Sequence, residues 1–235
     1  MPYIREIVMQ KIGGKVDFEQ KFENSTSADL VTKCNVPSYK RELIRKAEPL
    51  IEEEPKKPWI TLKKNVEKIK YLPTMVDISF KPKYVYVDVG ARTYGSSIVS
   101  WFKKHYPKQN KTFDIYAIEA DKTFHDDYKG KKGVTLQPYA AWTTSHKEIE
   151  KGRGIGRIKP VQSSGSSTSA GDVDKIQGFD FADWLKHSVS EKDYVVMKMD
   201  VEGTEFDLIP RLFKTGAICL IDELFLECHY NRWQK

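Results

Sequence analysis

From Tyr84 onward the chain alternates short apolar runs with stretches of helical spacing, and this restricts it to βαβ units on a mostly parallel sheet. The runs are Tyr84–Val89, Asp114–Glu119, Val134–Ala140, Tyr194–Met199 and Cys219–Glu227, each bounded by Gly, Asp or Pro. Between the first two, Ile98, Val99 and Phe102 share one side of Ser97–Tyr106, which is long enough for a right-handed crossover helix. The expected fold class is therefore α/β, a doubly wound, Rossmann-like sheet over residues 84–235.

Residues 1–83 read differently. They are charge-rich, carry Pro at 37, 49, 55, 58, 73 and 82, and hold too few apolar residues for a core of their own, so they form an extension that docks on the domain. Leu43, Ala47, Leu50 and Ile51 predict a short amphipathic helix within Ser38–Glu54, ended by Pro55, and a second helix is expected over Thr61–Tyr71. At 235 residues there is room for one such domain and its extension. Residues 151–174, rich in Gly and Ser, read as a flexible insertion, either a lid over a ligand crevice or a variable surface loop. Within it Gly152-Arg-Gly-Ile-Gly156 follows no convincing strand and opens no helix, so it is not a dinucleotide loop.

Charge excludes one class of partner. The 39 Lys and Arg against 33 Asp and Glu leave +6, but the lysines fall in small groups broken by acids, with no basic stripe of the kind that tracks nucleic acid. The three cysteines, Cys34, Cys219 and Cys228, contain no CxxC pair and leave an odd thiol, which suggests neither a disulfide framework nor a zinc knuckle and best fits a reducing, cytoplasmic setting. No apolar run approaches the roughly 18 residues of a membrane span. Asn24-Ser-Thr and Asn110-Lys-Thr satisfy the glycosylation sequon, a pattern short enough to arise by chance.

Four stretches carry chemistry. In Val85-Tyr-Val-Asp-Val-Gly-Ala-Arg-Thr-Tyr-Gly95 a strand runs through Asp88 into a glycine turn and a helix start; Gly90 allows close backbone approach and Gly95 tight helix entry. No Gly-Lys-Ser/Thr follows, which rules out the usual phosphate loop, and a carboxylate before the turn suits a cationic ligand better than a pyrophosphate. Glu119, about 30 residues on, ends the second strand where βαβ folds place an acid for ribose hydroxyls. Capping of helices by Asp88 and Glu119 is the purely structural alternative. In Met197-Lys-Met-Asp-Val-Glu-Gly-Thr-Glu205, Lys198, Asp200 and Glu202 leave a central strand at its carboxyl end, where ionisable neighbours perturb one another. Finally, Glu227 and His229 leave the next strand on one face, and His229 beside a carboxylate is a reasonable general base for a hydroxyl. No spacing among these acids compels a metal site.

Taken together, Val87-Asp-Val-Gly-Ala91, Ala117-Ile-Glu119, Phe179-Asp-Phe-Ala-Asp-Trp-Leu185, Lys198-Met-Asp-Val-Glu-Gly-Thr-Glu205 and Leu226-Glu-Cys-His229 resemble the ordered motifs of the FkbM-type methyltransferase family, over Tyr84 to about Trp233. The wording is closest to a plant subgroup of that family, whose N-terminal piece Lys70-Tyr-Leu-Pro-Thr-Met-Val-Asp77 also resembles. The resemblance implies a class I methyltransferase sheet, S-adenosyl-L-methionine as donor, and O-methylation of a sugar or small-molecule hydroxyl. It gives Asp88 and Gly90 to the methionine end of the donor, Glu119 to the ribose and Asp200 to the floor beside it; the proton acceptors are expected among His229, Glu202 and Asp200. It also implies that a longer form is anchored to endomembranes.

Two departures from the family pattern matter. Arg92 stands where the family has Asn, and Tyr94 lengthens the loop before Gly95; Arg92 is expected either to pair a ligand carboxylate or to mark altered cofactor binding. The chain also stops just past its fifth strand, without the two strands that complete such a sheet, which leaves an open edge. Docking of the extension, pairing with a second copy in a homodimer, and truncation are the three ways to account for that edge, and truncation is the expectation. The competing functional class is a catalytically impaired, methyltransferase-fold binding or scaffold protein.

Overall fold

The computed structural model describes residues 3–7, 71–145, 148–152, 158–160 and 173–227. Its centre is a six-stranded, all-parallel sheet made from β1 (Tyr3–Ile7), β2 (Tyr84–Val89), β3 (Asp114–Ile118), β4 (Val134–Gln137), β9 (Tyr194–Met199) and β10 (Glu223–Glu227), in the order β1-β10-β9-β2-β3-β4. After the edge strand β1 the chain enters the middle of the sheet with β2, moves outward through β3 and β4, then returns to the other side of β2 with β9 and β10. The direction of winding therefore reverses between β2 and β9, and the carboxyl ends of those two strands frame the crevice in which open α/β sheets of this order bind ligands. The architecture is α/β and compatible with a Rossmann-like fold.

Side-chain alternation along the strands builds two cores. On one face Val85, Val87, Val89, Val195, Met197 and Met199 pack against Phe181 and Leu185 of helix α1 (Phe181–Ser188) and Leu208 and Leu212 of helix α2 (Glu205–Thr215). On the other, Tyr86, Ile115, Ala117, Val196 and Phe225 pack against Ile98 and Phe102 of a π-helix, Gly95–Lys103, with Phe102 stacked on Tyr86 at 3.9 Å. The local sequence explains the helix ends. Asp180 caps α1 by accepting from the Asp183 N–H, and Gly216 closes α2 in the left-handed conformation, φ 74°.

Several expectations change. The predicted crossover helix is the π-helix, beginning at Gly95 rather than Ser97. The run Val134–Ala140 divides at Pro138, which has no N–H to continue the ladder: β4 ends at Gln137, and β5 (Ala140–Trp142) leaves for a second sheet. The run Cys219–Glu227 begins instead as a 3-10 turn, Ala217–Leu220, because an apolar run alone does not tell helix from strand. The insertion is not wholly loop. In the second sheet β5 pairs with β8 (Val173–Asp180), which pairs antiparallel with β6 (Glu148–Gly152), and β6 with β7 (Ile158–Pro160); residues 153–157 and 161–172 lie outside the described residues.

The extension contributes to the domain in two places. Tyr71, Leu72, Val76 and Ile78 are buried in the π-helix core, so the packed unit includes residues placed by the sequence before its boundary at Tyr84. Of the three ways to account for the edge of β10, the favoured one, truncation, gives way to docking of the extension: β10 is paired in parallel with β1, from Tyr3↔Glu223 to Ile7↔Glu227. The helix expected within Ser38–Glu54, and all but the last residue of the one expected over Thr61–Tyr71, lie outside the described residues. Among the described residues no helix is long and apolar enough to cross a membrane.

Candidate functional site

At the reversal point β2 and β9 are in register, Asp88 opposite Lys198. Both side chains project toward the π-helix face. Asp88 is fully buried: one oxygen accepts from the Ser97 hydroxyl of the π-helix, while Oδ1 lies 3.8 Å from the Lys198 ammonium and has no hydrogen-bond donor. Lys198 also donates to Asp200 Oδ2 at 3.4 Å and feels Glu227 at the end of β10. Burial raises the pKa of Asp88, opposed by Lys198 and Ser97 and reinforced by Asp200. For Lys198 burial works against the charge, but Asp88, Asp200 and Glu227 outweigh it, and the pKa is raised. Three carboxylates, those of Asp88, Asp200 and Glu227, thus act on the one ammonium of Lys198.

The glycine turn after β2 is held by the neighbouring strand. The Gly90 and Ala91 N–H groups donate to the Ile118 carbonyl at 3.0 and 3.1 Å, and the Arg92 N–H donates to Glu119 Oε2 at 2.7 Å. The N–H groups of residues 90–92 are thus engaged within the chain. The close approach at Gly90 is likewise internal: at φ 82° an added Cβ would stand 1.9 Å from the Asp200 carbonyl oxygen. Gly95, by contrast, has open space where a Cβ would go.

Glu119 sits half-buried at the rim, its two oxygens accepting the N–H groups of Arg92 and Asp121, each at 2.7 Å. A carboxylate offers about four lone-pair positions, a chemistry that suits hydroxyl donors. Tyr128 connects the two acids: burial, then Asp88, then Glu119 raise its pKa, and its hydroxyl donates to the Arg92 carbonyl at 3.0 Å. Asp88 and Glu119 therefore belong to one neighbourhood but at different depths, Asp88 as a sealed floor and Glu119 at the surface. The Arg92 guanidinium lies 5.7 Å over the Phe124 ring, on the Glu119 side of the turn.

Asp200 and Glu202 leave β9 beside this floor. Glu202 takes a left-handed φ of 55° and Arg92 one of 53°, so the loops on either side of the reversal point each hold a non-glycine residue in a conformation that is costly unless surroundings enforce it. Glu205 is buried and accepts from the Gly203 N–H at 2.8 Å, a capping role. His229 lies outside the described residues. Sequence reasoning named Lys198 only among the ionisable groups at the end of its strand, not as the partner of Asp88, and gave Ser97 no role. A lysine inside the apolar run Tyr194–Met199 is the signal that was available for Lys198, since buried lysines need a partner; nothing local marks Ser97.

Among the described residues no group of three or more His, Cys, Asp or Glu is arranged to hold a metal ion. The family described as "Domain of unknown function (DUF7870)" matches residues 44–150 and 158–235. No curated protein and no solved structure matches the chain.

Proposed function

We propose that this chain, which belongs to the DUF7870 domain family, is an S-adenosylmethionine-dependent methyltransferase acting on a hydroxyl of a sugar or other small molecule. The observation that carries the reading is the convergence of Asp88, Asp200 and Glu227 on Lys198 at the reversal point, with Glu119 one strand away on the same carboxyl edge. A ligand with a cationic head and a ribose matches it: acids around Lys198 attract the cation, and a carboxylate at the position of Glu119 accepts from the hydroxyls of a vicinal diol. The strand order supports a class I methyltransferase sheet, β4-β3-β2-β9-β10 standing for its first five positions.

In this reading Asp200, partly exposed, accepts from the ammonium of the donor, Glu119 from its ribose, and Arg92 with Phe124 borders the adenosyl end. Asp88 acts beneath the surface by fixing Lys198, and Gly90 keeps the two loops in contact. S-adenosylmethionine supplies an electrophilic methyl group on a sulfonium. The chain's own part is to align the acceptor hydroxyl and to take its proton, for which Glu202, Asp200 and His229 are the assigned groups.

Calorimetric titration with S-adenosylmethionine tests this. Binding is expected for the unaltered chain and a loss of about tenfold or more for Glu119→Ala, which removes the diol acceptor. Methyl transfer assayed in His229→Ala and Glu202→Gln assigns the base, and full turnover in both refutes that assignment. One observation favours a second reading, a scaffold of the same fold without turnover: Lys198 already supplies a cation to both Asp88 and Asp200. No heat of binding by the unaltered, folded chain decides for the scaffold.

A further inference from the structure

We infer that Asn110 is an N-glycan acceptor and that the chain matures in an oxidising, glycosylating compartment. This is independent of the methyltransferase reading. The observations that carry it are the disulfide at Cys219 and the geometry of the sequon Asn110-Lys111-Thr112.

Cys219 is disulfide-bonded, where the sequence suggested free thiols. Forming that bond takes two electrons and two protons from a pair of thiols to a disulfide-carrying oxidant, and such bonds persist where the surroundings are oxidising. Those are the compartments in which sequons are read, so a sequon that was weak by pattern gains weight if the folded chain presents it.

It does present it. Gln109 and Asn110 take φ of 47° and 60°, and the Lys111 N–H donates to the Lys108 carbonyl at 2.9 Å, so residues 108–111 form a tight turn with both central residues left-handed. The two side chains divide the work. Gln109 accepts from the Ile78 N–H at 3.1 Å and donates to the carbonyls of Pro73 and Val76 at 2.6 and 2.9 Å, which holds the turn on the packed part of the extension. Asn110 is exposed, and no described residue hydrogen-bonds its side chain, although asparagine in such turns commonly bonds locally. Thr112 is exposed as well. The turn precedes β3, at the amino edge of the sheet, so roughly 16 Å of strand separates a glycan there from the carboxyl-edge site. In the transfer, Asn110 Nδ2 bonds to the anomeric carbon of an oligosaccharide carried on a polyprenyl diphosphate. The anomeric carbon–oxygen bond breaks, the amide loses a proton, and the polyprenyl diphosphate departs.

Peptide mapping of the full chain isolated from its own cells, without reduction, is the test. Peptides spanning Asn110 should carry glycan, and peptide-N-glycosidase in heavy-oxygen water should convert Asn110 to labelled Asp, with Cys219 recovered in a linked peptide. In a secreting eukaryotic host, Asn110→Gln and Thr112→Ala should each lose one glycan's mobility shift. An unmodified Asn110 in the native protein, or Asn110→Gln running with the parent, overturns the inference.

Discussion

Replacing Lys198 by Met tests the electrostatic frame of the site. Lys198 Nζ stands 3.8 Å from the sealed Oδ1 of Asp88. At an effective dielectric near 20 that separation corresponds to about 4 kcal/mol of attraction. Desolvation of the ammonium offsets part of it, and the lysine side chain keeps 23% exposure, so the expected net loss in Lys198→Met is about 2–3 kcal/mol at neutral pH. The loss should depend on pH in a defined direction. Burial already raises the pKa of Asp88 and Lys198 opposes that rise, so removing Lys198 raises it further. An acid whose native pKa lies above its unfolded value binds more protons when folded, and stability then falls as pH climbs from the ordinary carboxylate value to the native one. The deficit of Lys198→Met should accordingly be small in mild acid and grow toward neutrality. In the unaltered chain the raised pKa of Lys198 places its own contribution below the ordinary lysine value, with loss only as alkali titrates it. Urea unfolding followed by circular dichroism, at about pH 5 and pH 7, measures the Asp88 term in a cycle with Asp88→Asn. The double variant should recover at least about 1 kcal/mol relative to the summed singles. Strict additivity, or a deficit that grows toward acid, refutes the pairing.

Other substitutions probe the turn and the lower end of the sheet. Gly90→Ala meets the Asp200 carbonyl at 1.9 Å and a positive φ, so thermal unfolding should show a loss of about 3 kcal/mol or more, whereas Gly95→Ala, with open space around its Cβ, should be neutral or slightly stabilising. Tyr106 donates to buried Glu223 at 2.6 Å, alongside the Leu72 N–H at 3.0 Å, and Tyr106→Phe should cost about 1–3 kcal/mol in denaturant melts because a buried carboxylate loses one of its donors.

The sequence by itself determined the elements that local chemistry can fix. Runs of apolar residues placed β2 and β9 residue for residue and β3 to within one position, while Asp180 and Gly216 carry the capping chemistry that bounds α1 and α2. The same runs brought Asp88, Glu119, Asp200 and Glu202 to one carboxyl edge, because strand direction in a βαβ chain is a local consequence of alternation. What the acids touch was not legible. Asp88 and Lys198 are 110 positions apart, and their pairing is set by the register of β2 against β9, a property of no single segment. The turn at Gly90 reads the same whether its open side faces a ligand or the Asp200 carbonyl, and only the crossing of two loops chose the latter. The edge strand is the extreme case: five residues at the start of the chain close the side of β10, 220 positions away, through backbone hydrogen bonds that leave no mark on side-chain pattern. Local interactions are written in neighbouring residues, whereas register, burial and edge pairing arise only when distant segments compete for the same surface.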